Sequence, residues 1–276
     1  MNELDLYDAY RLPSAKSSTV TEMKKPKKRK ARSFFAFVLV LMSCVTVFFV
    51  ANAFSNILAF STVSLYKAKS ATAKSFNVFM INVNNFEKED DAKKFATEIK
   101  LAGGAGYVMY DLGYNVIASA YLSSADAQSV LEKIKLTYDT ATVKLVEINR
   151  CELENIVDDE QEKCVQKALD IFKSTYKSLY DLSIKLDTSQ ITSADVKVEL
   201  TALLESASDI SASFRNYASK ITETSYSLTQ AKVNQVVALL NDLVENSLTS
   251  TRLSASLKSA QISALMLQNE LALLIA

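Results

Sequence analysis

The chain has no histidine and no tryptophan, only three cysteines and two prolines, and four glycines in 276 residues. The missing histidine removes the commonest general base and the commonest metal ligand. Histidine-ligated zinc hydrolases and Ser-His or Cys-His nucleophile systems are therefore excluded. No Ser-x-x-Lys or Gly-x-Ser-x-Gly arrangement supplies another nucleophile. The glycines all fall at Gly103, Gly104, Gly106 and Gly113, and neither proline lies beyond Pro26. Past Tyr114 there is neither helix breaker, so no glycine-rich phosphate loop exists there and long helices are expected. Paired carboxylates such as Asp158 and Asp159 suit a helix amino terminus better than catalysis. The reading is a protein with no enzymatic activity, no cofactor and no metal.

What the chain does have is one long uncharged stretch, Ser33 to Tyr66, directly behind the basic run Lys24 to Arg32. Its apolar centre, Phe34 to Ala51, is long enough for a helix crossing a hydrocarbon core of about 30 Å. Residues 1–32 hold nine Lys/Arg and four Asp/Glu, while the rest of the chain holds 22 and 27. Basic residues flanking a span stay on the cytoplasmic side. The expectation is an integral, single-pass protein of the cell membrane. Residues 1–32 form a cytoplasmic tail, 33–60 a transmembrane helix, 61–75 a linker, and the C-terminal region is extracytoplasmic. Two rivals exist. The basic run matches a nuclear-localisation or nucleic-acid patch, which its place against the apolar stretch disfavours, so no nucleic acid is expected. Ala51-Asn52-Ala53 matches a signal-peptide cleavage site, which the long basic tail disfavours.

Beyond the linker, composition divides the chain at about residue 150. Phe76 to Val83, FNVFMINV, is a strand pattern. Ala92, Phe95, Ala96 and Ile99 keep helical spacing, and Gly103-Gly104 ends that helix. Gly106 to Asp111 and Tyr114 to Tyr121 flank Leu112-Gly113 as a hairpin. A helix capped by Ser123 or Ser124 runs to Tyr138, and Val143 to Ile148 is a fourth strand. The fold class is α+β. Residues 76–150 form a strand–helix–strand–strand–helix–strand plait, with two helices on one sheet face and the other face open. Residues 155–276 form a helical bundle of about three antiparallel helices, the second capped by Ser193. Cys151 and Cys164 either pair or remain free thiols.

This order resembles the SPOR (sporulation-related repeat) domain of bacterial cell-wall proteins. Asn82-Val83-Asn84-Asn85-Phe86 stands where that family has a Gln-x-Gly-x-Phe-like motif, followed by Asp91-Ala92. Tyr114-Asn115-Val116 stands at its aromatic-Arg-Val strand, followed by Ser119-Ala120-Tyr121 and Ser124-Ala125. The likeness spans Ser75 to Ile148. It departs at the family's Gln (Asn82), Gly (Asn84), Arg (Asn115) and Gly-Pro (Ser119-Ala120). The resemblance implies binding of peptidoglycan glycan strands in cell division or sporulation.

Alternation places Phe79, Ile81, Val83, Val116 and Ala118 against the helices. It places Val78, Met80, Asn82, Asn115, Ile117 and Ser119 on the open face. Amides there are suited to sugar hydroxyls, so the expected glycan site is Asn82, Asn84, Asn115 and Ile117. Val78, Met80 and Ile117 are unusually apolar for a wet face and suit contact with protein, including the chain's own bundle. The alternative function is a membrane-anchored scaffold that meets protein partners through the plait and bundle and holds no glycan.

Overall fold

The structure is a computed structural model and describes residues 69–245 and 250–276. They belong to one compact unit, Leu65–Ala276. In chain order the elements are β1 (Lys69–Ala73), β2 (Phe76–Phe86), α1 (Glu89–Leu101), β3 (Tyr107–Tyr110), β4 (Tyr114–Tyr121) and α2 (Ser124–Lys135). Then come β5 (Thr142–Ile148), β6 (Cys151–Ile156), α3 (Asp159–Asp187), α4 (Ser193–Ala218), α5 (Thr224–Glu245) and α6 (Ser250–Ile275).

β2 to β5 make an antiparallel sheet in the order β3-β4-β2-β5. α1 and α2 lie on one face, where Ile81, Val83, Val116 and Ala118 join Ala92, Ala96, Ile99, Ala127 and Leu131 in one core. Phe95 completes that layer between Phe86 and Tyr138, at 5.4 and 5.8 Å between ring centroids. Gly113, at φ +131°, lets the hairpin turn pass against Asn85; a Cβ there would sit 2.3 Å from Asn85 Oδ1.

Three expectations need correction. First, the sheet has no open face. Val78, Met80 and Ile117 are fully buried, packed with Ala120, Ile148, Tyr176 of α3, and Ile262 and Leu265 of α6. The apolar character of that face is satisfied by the chain's own bundle. Second, a further two-stranded sheet, β1 with β6, stands outside the plait. It continues the β2–β5 pairing in the same register, Phe76 facing Ile148 and Ala73 facing Cys151. The two strands thus form a long bent ribbon. Its far end puts Ala71, Ala73, Leu153 and Ile156 into the bundle core. Third, the bundle has four helices, α3 to α6. Its second helix is capped by Thr192, not Ser193: Thr192 Oγ1 accepts from Asp195 N, and Asp195 Oδ2 accepts from Thr192 N at 2.8 Å. This is a capping box with Asp in the third position.

Among the described residues no helix is long and apolar enough to cross a membrane. The fold class read from sequence is corrected accordingly: what is described is a closed α+β unit. The stretch 33–60 expected to span lies outside the described residues, as do the basic tail and most of the linker. Cys151 and Cys164 are free thiols.

Candidate functional site

The four residues expected to bind glycan sit at the β2–β4 end of the sheet, and the structure brings two of them, Asn82 and Asn115, together with Asn85 for another purpose. Asn115 opens β4 and is 3% exposed. Its Oδ1 accepts from Asn82 Nδ2 at 3.0 Å and from Asn85 Nδ2 at 3.1 Å. Its Nδ2 donates to the carbonyls of Asp111 at 2.9 Å and Gly113 at 3.3 Å. Asn84 turns back locally, accepting from Asn85 N at 2.9 Å. Asn115 is therefore a hub tying the hairpin turn to the end of β2, and its hydrogen-bonding capacity is filled (two donors and two lone pairs). Asn82 keeps one buried acceptor, Oδ1, without a partner. Ile117 lies in the layer between sheet and bundle and reaches no solvent. The expected site is thus an internal amide network plus a core residue.

The alternation used to assign faces also slips. Ile81 faces Ser119 and Asn82 faces Ile117, so Ala118 is the extra residue of a bulge. Ser119 consequently turns to the helix side. There it lines a crevice of about 210 Å³ between α1 and α2 with Ile99, Val130, Ile134 and Tyr138.

Among the described residues the outer surface carries shallow, open grooves. One, of about 600 Å³, lies between α3 and α4 and is lined by Glu160, Lys163, Cys164, Lys167, Asp209, Tyr217 and Lys220. Its charges are mixed. Burial and the neighbouring Glu160 raise the Cys164 thiol, while Lys167 lowers it; burial is the largest effect and leaves the thiol raised. A raised thiol is a poor nucleophile at neutral pH. A second groove, about 510 Å³, runs beside β3 past Tyr107, Tyr110, Tyr114, Lys93 and Lys100. Large apolar side chains stand out at Leu112 and Leu136, with Tyr110 beside the first.

No family model, curated protein or solved structure matches this chain. The SPOR likeness therefore stays a resemblance resting on the quoted motifs.

Sequence reasoning missed a buried polar row on α6 that meets α3 at one end and the β5–β6 junction at the other. Ser254, Gln261 and Gln268, each one heptad apart, are all buried on α6. Ser254 donates to Asp187 Oδ1 at 2.5 Å, and Gln268 Nε2 donates to the Asn149 carbonyl at 3.4 Å. The seven-residue spacing was visible in the sequence, but its burial depended on α6 packing against both α3 and the sheet.

Proposed function

We propose that this chain is a membrane-anchored protein-interaction module without enzymatic activity, and that its plait holds no glycan. The observation that carries the reading is the closure of the sheet on both faces: α1 and α2 cover one, α3 and α6 the other. A polymer laid on the second face would have to displace side chains that are fully buried, Val78, Met80 and Ile117. The amides that would meet sugar hydroxyls are bonded to one another instead. What remains outward is a surface of exposed apolar residues and shallow mixed-charge grooves, which suits protein contacts. Anchoring is supported by the uncharged stretch Ser33 to Tyr66 behind the basic run. In this reading residues 1–32 lie in the cytoplasm and the folded unit outside, since basic residues flanking a span stay on the cytoplasmic side.

Two measurements test this. Detergent-solubilised full-length chain is mixed with peptidoglycan sacculi and sedimented; the expected result is that it stays in the supernatant. Saturable pelleting would return the function to glycan binding. Separately, protease added to intact cells should remove the folded unit and leave a membrane-protected fragment bearing the basic tail. A soluble secreted form beginning near Phe54 would defeat the anchoring.

A further inference from the structure

β5 is the outer strand on one side of the main sheet. It pairs with β2 residue for residue, from Phe76 with Ile148 to Asn82 with Thr142, with no bulge. In an antiparallel ladder, residues along a strand alternate between turning their N–H and C=O toward one neighbour and toward the other. About half of the β5 residues therefore direct both groups outward. Among the described residues no backbone hydrogen bond from another segment reaches them.

Natural sheets guard such an edge with proline, a bulge, short length or an outstanding lysine. The opposite edge, β3, is four residues long. β5 has seven residues, TVKLVEI, with no proline, glycine or bulge. Its one lysine does not guard it: Lys144 bonds Asp111 on the β3–β4 turn, and its side chain is only 27% exposed. Leu145, at the centre of the strand, is 57% exposed. The device that would keep another strand away is folded back onto the protein, and an apolar side chain stands in its place.

Resting on the protein-interaction reading, we propose that the partner at this edge is a second copy of the chain. Its β5 pairs antiparallel about Leu145, joining the two sheets into one. Read about that centre the strand is self-complementary. Leu145 meets Leu145, Lys144 meets Val146, Val143 meets Glu147 and Thr142 meets Ile148, so no like charges stand directly opposite. A two-fold axis through Leu145 and perpendicular to the sheet keeps the helical layers of both copies on matching sides. It also closes the assembly at two, as an isologous contact does. A strand of this length covers less than the roughly 800 Å² per partner of a standard interface, so the association is weak and concentration-dependent.

The test uses the full-length chain in detergent. Opposed Cα atoms in an antiparallel pair are about 4.5–5.5 Å apart, within the span of a disulfide. Oxidation of Leu145→Cys should give a covalent dimer. The parent chain with its own cysteines, and Leu112→Cys at a site 96% exposed but off the edge, should give only background. Leu145→Lys should keep the circular dichroism of the parent and sediment as monomer at concentrations where the parent associates. Self-pairing is overturned if Leu145→Cys cross-links no more than Leu112→Cys, or if Leu145→Lys associates like the parent. A photoreactive residue at position 145 that instead gives an adduct of another mass in cells would remove the second copy but leave the protein-interaction reading standing. Saturable binding to sacculi would remove that reading itself.

Discussion

Asn115→Ala is the substitution that most directly tests whether the amide cluster is structural. The side chain is 3% exposed and takes part in four hydrogen bonds, with Asn82, Asn85, Asp111 and Gly113. A neutral hydrogen bond contributes about 0.5–1.5 kcal/mol net, and a buried group left without its partner costs about 1–3 kcal/mol. The Asp111 carbonyl stands beside solvent and can be rehydrated. The Asn82 amide cannot be rehydrated so readily, because its Oδ1 is already buried without a partner. The expected loss is about 2–4 kcal/mol, a large share of the 5–15 kcal/mol typical of a domain. Asn82→Ala removes one donor and an unsatisfied acceptor together, so it should cost less than about 1 kcal/mol. The two changes should be non-additive by roughly 0.5–1.5 kcal/mol, as residues in one network are. Urea unfolding followed by circular dichroism measures all three variants. Amide exchange on β3 and β4 shows whether the loss is local to the hairpin. If Asn115→Ala lies within about 0.5 kcal/mol of the parent, as surface substitutions do, the amides are solvated and the internal-network account is wrong.

Leu112 is 96% exposed with φ +52°, a left-handed conformation that costs a bulky residue about 1–2 kcal/mol. Leu112→Gly should therefore raise the urea midpoint by up to about 1 kcal/mol of stability. No change would mean the turn relaxes freely. The Tyr176 hydroxyl donates to the Ala120 carbonyl at 3.0 Å, and burial pushes its phenol far above the ordinary 10.0. Burial also pushes the Tyr226 phenol up to about 12 and the Cys151 thiol up to about 11. Groups raised in the folded state stabilise fully below their unfolded values and lose that contribution as pH rises through the folded ones. Thermal stability should thus fall from about pH 9 upward, first through Cys151 and then through the tyrosines. Tyr176→Phe should flatten the alkaline limb while lowering stability at neutral pH. Maleimide should label the half-buried Cys164 before Cys151, which is 1% exposed. Equal labelling rates, read by mass spectrometry, would show that the ribbon opens.

The strands and helices between Phe76 and Ile148 were legible because their signals are local. Aromatic and β-branched runs, helical spacing in Ala92 to Ile99, and glycines at the turns lie within a few residues of what they specify. The ribbon β1–β6 was not. KSATA is small and polar and fell in the expected linker, and CELENI straddled the unassigned junction between plait and bundle. They are strands because the β2–β5 register carries them forward and because Ala71, Ala73, Leu153 and Ile156 meet the bundle. The separation of α5 from α6 was illegible for a related reason, since no glycine or proline falls between Glu245 and Ser250. The apolar residues of the supposed open face, Val78, Met80 and Ile117, did signal a protein contact. Asn82 and Asn115 misled because an amide has the same chemistry whether it serves a ligand or a neighbouring turn.

Placing α6 against the sheet has a consequence for synthesis. Ser250–Ile275 follows the strand Thr142–Ile148 by about a hundred residues. At roughly 5–20 residues per second, the nascent plait waits some 5–20 s with that face uncovered. During that interval Val78, Met80 and Ile117 form an apolar surface next to the edge strand β5, which is the pairing of features that promotes aggregation of partly made chains. Ribosome-bound chains stopped before Ser250 should therefore recruit holding chaperones, and chains in which Ser250–Ile275 has emerged should not. A frameshift anywhere in α6 should have the severity of a lesion in the sheet itself.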